Sequence, residues 1–248
     1  VHATAFLGAF LLFLLQPVIA KHLLPRFGGA SSVWTASVFF FMVMLLTGYL
    51  YAYCLSRTTL HAQRKTHVLF LLVSLIALGA QTFSSGSPLT PPLLFEAGFA
   101  FPTTAILLTL ALAVGIPCAL LGATSPVLES SLTHRERRAA DFKLYAFSNA
   151  GSFLALIVYP TVLETFVPSR ALGLLWGAGF LLYALLLARF MRSVQTGAHE
   201  TSPAPFSQAP RATLSRRTVL LWVLLPALGT LLLLGATAEI ARDIAPVP

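Results

Sequence analysis

Charge is what this sequence has least of. Only 10% of its 248 residues are Asp, Glu, Lys or Arg, against about 25% in an ordinary soluble domain. So few charges cannot cover a water-facing surface of this length, which excludes a soluble globular fold. Cysteine is also scarce. Cys54 and Cys118 are the only two, and both fall inside apolar segments, which excludes a disulfide framework. The six histidines, His2, His22, His61, His67, His134 and His199, lie near loops or the ends of apolar runs. None shows ligand spacing on a helix, so no metal site is implied. Phosphate-binding grammar is missing as well: there is no G-x-G-x-x-G and no Walker sequence, and Phe27-Gly28-Gly29 reads only as a turn. Ser125 precedes Pro126 without a nucleophile elbow around it. No catalytic residue and no cofactor follow from these patterns.

What the sequence has in abundance is apolar length. Hydrophobic residues make up 57% of the chain, and they come in blocks of about twenty, enough to cross a bilayer core of about 30 Å. The blocks fall at 3–24, 33–55, 68–83, 103–125, 144–167, 171–190 and 218–238. Backbone polar groups in lipid must be paired internally, so each block is expected to be a helix. The fold expected is therefore all-α, a polytopic transmembrane bundle of about seven spans. Pro17, Pro117, Pro160 and Pro226 sit inside spans and are expected to kink them. The first run lacks a basic leader and reads as a span rather than a signal peptide. With Val1 first and Pro248 last, both ends read as cuts in a longer protein.

Charge asymmetry orients the spans. Arg57, Arg64 and Lys65 occupy 56–67; Arg135, Arg137, Arg138 and Lys143 occupy 126–143; Arg189, Arg192, Arg211, Arg216 and Arg217 occupy 189–217. The alternate side holds only Lys21, Arg26, Arg170 and Arg242. The positive-inside rule then places the N-terminus in the cytoplasm. The acidic residues divide evenly between the two sides, so the whole formal charge of +8 belongs to the inner face. An anionic inner leaflet accounts for that charge, and no nucleic-acid partner is needed. Residues 193–217 are rich in Ser, Thr, Ala and Pro and read as a flexible cytoplasmic linker. The linker separates a six-span unit, 1–192, from a seventh span in 218–248 that is a possible start of a further membrane unit.

The first and fifth spans resemble each other. Gly8, Phe10, Leu11, Pro17 and Pro25 match Gly151, Phe153, Leu154, Pro160 and Pro168, each 143 residues on. Both spans run outward by the charge count, so a parallel duplication is expected, with Lys21 and Glu164 at equivalent depths. Polar residues inside spans are the candidates for packing or for a pathway, because burying them in lipid is expensive. Gln16, Asn149 and Ser152 lead, with Gln81 and Ser148 behind them. Asn149-Ala150-Gly151-Ser152 combines small residues with a donor and an acceptor, so Asn149 and Ser152 are expected to face another helix. Lys21, Glu164, Glu239 and Asp243 form a candidate charge cluster at the outer face, either paired with local cations such as Arg170 and Arg242 or available to a cationic substrate. Tyr49, Tyr51 and Tyr53, with Trp34 at the other end of the second span, read as interfacial belts.

Several stretches carry a family resemblance. Leu14-Leu15-Gln16-Pro17, Leu24-Pro25-Arg26-Phe27-Gly28-Gly29, Val33-Trp34-Thr35, Gly48-Tyr49-Leu50-Tyr51-Ala52, Leu144 to Ser152, Tyr159-Pro160 and Asp243 to Pro248 occur in this order. Together they resemble the membrane region of bacterial fused transporter-like (major-facilitator-like) and spermidine synthase-like integral membrane proteins. The resemblance implies an inner-membrane location and a non-catalytic membrane module that anchors a soluble domain or moves a small cation such as a polyamine. It also implies a Rossmann-like aminopropyltransferase domain, whose glycines and carboxylates have no counterpart in these residues. A structural accessory subunit, packed against other proteins in a larger membrane complex, is the alternative. The expected partners are the lipid bilayer, other membrane subunits and a small cation.

Overall fold

The computed structural model describes residues 1–27, 31–90, 102–136, 142–198 and 215–244. Helix α1 spans His2–Phe27, α2 Ser31–Ser56 and α3 Leu60–Ser85. The fourth span is built in pieces: α4 Pro102–Leu110, a π-helical turn Ala111–Gly115, α5 Ile116–Gly122 and α6 Thr124–Glu136. The fifth is α7 Phe142–Val158, a second π turn Tyr159–Leu163 and the short α8 Glu164–Phe166. Then follow α9 Ser169–Ala198 and α10 Arg216–Ile244. Seven of these stretches are long and apolar enough to cross a membrane. The chain is an all-α, polytopic bundle of an integral membrane protein, and no strand occurs among the described residues.

The chain divides into two compact units, Val1–Ser202 and Pro203–Pro248. In the first, α1 is the central element, packing on α7 along its length and also on α9 and α5, while α2 lies against α4 and α5. The core is apolar: Leu15, Ile19, Leu23, Leu110, Leu128, Trp176, Phe180 and Leu187 are all fully enclosed. The second unit contains the single helix α10, which runs through Pro226.

Helix boundaries differ from the apolar blocks where polar residues extend a helix. The third span begins at Leu60, not at 68, because Thr59 caps it by accepting from the Ala62 amide at 3.3 Å. Its polar first turns are part of the bundle, with Gln63 and His67 buried. At the other end Gly86 adopts φ +76° and donates its amide to the Thr82 carbonyl, the left-handed cap that glycine adopts without penalty. Helix α9 continues to Ala198, so the first residues of the expected linker are helical; residues 199–214 lie outside the described set.

The prolines act differently from one another. Pro117 lacks the amide that would pair with the Ala113 carbonyl four residues back. The helix takes a π turn there, and Gln81 Nε2 of α3 donates to that carbonyl at 3.3 Å. Pro160 lies within the other π turn, where the Thr161 hydroxyl donates to the Ile157 carbonyl at 2.7 Å. Helix α1, by contrast, remains α-helical through Pro17. The π turn at Pro160 thus has no counterpart at Pro17 in α1.

Candidate functional site

Helices α1 and α7 meet as a parallel ladder. At the first rung the His2 and Phe147 rings stack with centroids 5.1 Å apart. At the second, Gly151 lies directly on the α1 backbone: a Cβ at that position would collide with the Phe6 carbonyl oxygen. Further along, the Tyr159 hydroxyl donates to the Pro17 carbonyl at 3.3 Å. The last rung is ionic. Lys21 Nζ is 3.8 Å from Glu164 Oε1 and 3.5 Å from the Glu164 carbonyl oxygen. Contacts advance along both helices together, so the two run in the same direction. The equivalent glycines do not play equivalent roles, however, since Gly8 sits beside Thr124 and Tyr183.

The four members of the expected charge cluster are thus distributed unequally. Lys21 and Glu164 meet. Glu239 is exposed on α10, in the second unit, and the side chain of Asp243 lies outside the described set. Arg170, a possible partner for Glu164, is used elsewhere: its Nε donates to the Gly86 carbonyl at 3.1 Å, closing the end of α3 against the start of α9.

The uncharged candidates also separate. Gln16 is half-buried in α1. Ser152 returns its hydroxyl to the Ser148 and Asn149 carbonyls within its own helix, at 3.2 and 3.0 Å. Asn149 is exposed, with no helix of its own unit against it. Helical periodicity is the reason: Leu144, Gly151 and Ala155 form the buried stripe of α7, and Asn149 projects about 160° away from Gly151 at 100° per residue. Ser148, by contrast, approaches the Ser125 hydroxyl at 3.4 Å.

The better-built polar contacts include two residues that the sequence left among belts and loop ends, Tyr51 and His67, and others it did not single out. Tyr51 does not join the interfacial belt with Tyr49 and Tyr53, which are exposed; it turns inward and meets His67 Nδ1 at 2.9 Å, the rings stacking with centroids 5.6 Å apart. His67 is fully enclosed. The Tyr183 hydroxyl, also fully enclosed, lies 2.7 Å from Thr124 Oγ1 and 3.3 Å from the Leu120 carbonyl, beside the break between α5 and α6. Trp176 Nε1 donates to the Leu11 carbonyl at 2.9 Å. The signal for His67 was its i−4, i+4 and i+7 relation to Gln63, Leu71 and Ser74, which marks one helix face. Among the described residues no three His, Cys, Asp or Glu side chains converge to hold a metal.

No family model, curated protein or solved structure matches this chain.

Proposed function

We propose that the chain is a non-catalytic integral membrane module of the spermidine synthase-like class, whose bundle anchors a soluble domain at the bilayer. The observation that supports this reading is the α1–α7 ladder, tied at both ends and pressed together at Gly151. A carrier of alternating access rocks one helical bundle against another, whereas a pair interlocked along its length suits a fixed anchor. The Glu164 carboxylate, which an incoming polyamine would use, already has Lys21 beside it. The test is made on the complete gene product in washed membranes and in proteoliposomes. Aminopropyl transfer from decarboxylated S-adenosylmethionine to putrescine is expected to sediment with the membranes, with no spermidine uptake above protein-free vesicles. Uptake would replace the anchor by a carrier, and absence of transferase activity would remove the spermidine synthase-like assignment.

Asn149 favours a second reading, an accessory subunit in a larger complex. It lies five residues from the middle of the span Phe142–Phe166, or about 7 Å along the axis, well inside a hydrocarbon core of about 30 Å. An exposed amide at that depth is suited to hydrogen bonding with a neighbouring membrane helix. Native mass spectrometry from mild detergent tests it: a protein partner lost on Asn149→Leu supports the reading, and a bare chain in both cases removes it.

A further inference from the structure

Among the described residues, three buried side-chain polar atoms have no hydrogen-bond partner: His67 Nε2, Ser74 Oγ and Gln81 Oε1. All three belong to α3, at intervals of seven residues. Seven residues make nearly two helical turns, so the three atoms share one stripe at steps of about 10 Å and extend over about 21 Å. That length covers most of a bilayer core of about 30 Å.

The stripe is the buried face of α3. Leu71 and Leu78 alternate with the polar residues along it, while Leu69, Leu72, Val73, Ile76 and Phe83 point outward. It packs toward α9 and α5. Two of the polar residues are engaged at one atom only: His67 through Nδ1 with Tyr51, and Gln81 through Nε2 with the Ala113 carbonyl of the π turn. Ser74 makes no bond at all, although Ser37, Thr47, Thr82 and Thr161 each return their hydroxyl to the carbonyl four residues back. A helix hydroxyl inside a membrane ordinarily does this, and unpaired buried polar atoms are rare because each forfeits its hydration.

Only 17% of the α3 membrane-spanning window is buried, the same share as in the fifth span, against 61% for the fourth. Its two ends are held, by the Thr59 cap and by the left-handed Gly86, whose carbonyl accepts from Arg170 of α9, so a movement of α3 is one of the segment between them. The π turn in contact with the stripe through Gln81, at Ala111–Gly115, is a local distortion of the type found at functional sites.

We propose that α3 is the movable wall of a water path through the bundle, closed in this structure. When α3 moves away from α9 and α5, water enters along its buried face and pairs with His67 Nε2, Ser74 Oγ and Gln81 Oε1. The closed packing leaves these atoms enclosed and unpaired; the open state satisfies them. An imidazole, a hydroxyl and an amide carry no fixed charge, so the lining suits water rather than a polyamine, which would call for carboxylates. The inference is independent of the anchoring role, since a bundle can hold the α1–α7 pair fixed while α3 moves.

Hydroxyl-radical footprinting of the full chain in lipid nanodiscs tests it, because radicals made from water oxidise the side chains that water reaches. Leu71 and Leu78 on the stripe are compared with Leu69 and Leu72 on the outward face, so intrinsic reactivity cancels. The expected result is severalfold faster oxidation of Leu71 and Leu78; equal or slower oxidation overturns the proposal. A second measurement uses Ser74→Cys and Ile76→Cys, each in a Cys54→Ser, Cys118→Ala background. A small water-soluble methanethiosulfonate is expected to modify position 74 faster than position 76, and the reverse order overturns the proposal.

Discussion

Lys21 and Glu164, 143 residues apart in the chain, meet at the end of a parallel helix pair with Nζ 3.8 Å from Oε1. The side chains remain 37% and 47% exposed, so the pair fixes register more than it stabilises. A double-mutant cycle with Lys21→Met and Glu164→Gln is expected to give a coupling of about 0.2–1 kcal/mol, the range of exposed ion pairs. Thermal unfolding in nanodiscs at low salt measures it, and the charge-reversed pair Lys21→Glu with Glu164→Lys is expected to recover most of the loss.

The α1–α7 contact depends far more on Gly151. A side chain there meets the Phe6 backbone, which cannot yield without moving the helix. Gly151→Val is expected to destabilise the bundle by about 1–3 kcal/mol or more, as overpacked cores do. Gly79→Ala, where a Cβ finds nothing within 4 Å, is the control and is expected to leave the melting temperature unchanged or slightly raised.

Tyr183→Phe removes the hydroxyl that links α9 to Thr124 and the Leu120 carbonyl at the α5–α6 break. The expected cost is about 1 kcal/mol, the usual net worth of a neutral hydrogen bond. Tyr145→Phe also loses a bond, to Glu129 at 2.7 Å, but at an exposed position. It is expected to cost less, and equal losses in thermal denaturation would contradict the ranking.

Asn149→Leu is expected to leave the stability of the isolated chain within about 0.5 kcal/mol, as at surface positions that make no special contact. A clear loss in detergent-solubilised monomer would show that the amide has a partner within the chain after all.

Topology is tested by thiol labelling from outside intact cells. His61 and Ser84 are both exposed and lie at opposite ends of α3. In a Cys54→Ser background the positive-inside rule predicts labelling at Ser84→Cys and none at His61→Cys. The reverse pattern would invert the orientation.

Much of the architecture was legible in composition alone. Apolar runs of spanning length can only be helices in lipid, and the seven helices formed where those runs lie, with polar ends such as 60–67 added by capping and burial. Two of the prolines mark local irregularities: Pro160 lies in a π turn and Pro117 just after one, whereas α1 stays α-helical through Pro17. A missing amide leaves an acceptor free, but the sequence does not say which neighbour will supply a donor, as Gln81 does for Ala113.

The sequence by itself determined that this chain is a helical membrane protein, because apolar runs of spanning length follow from residue counts along the chain. The same counts predict that its basic residues gather on one face. Only the tertiary structure decided which polar groups meet. Asn149 looked like the packing residue and faces outward, while His67 looked like a loop-end histidine and is enclosed beside Tyr51. In an apolar helix nearly every face is hydrophobic, so hydrophobic periodicity barely distinguishes the inward face from the outward one. The neighbours make that choice: the Phe6 carbonyl accepts only a glycine, so Gly151 turns inward and carries Asn149 out.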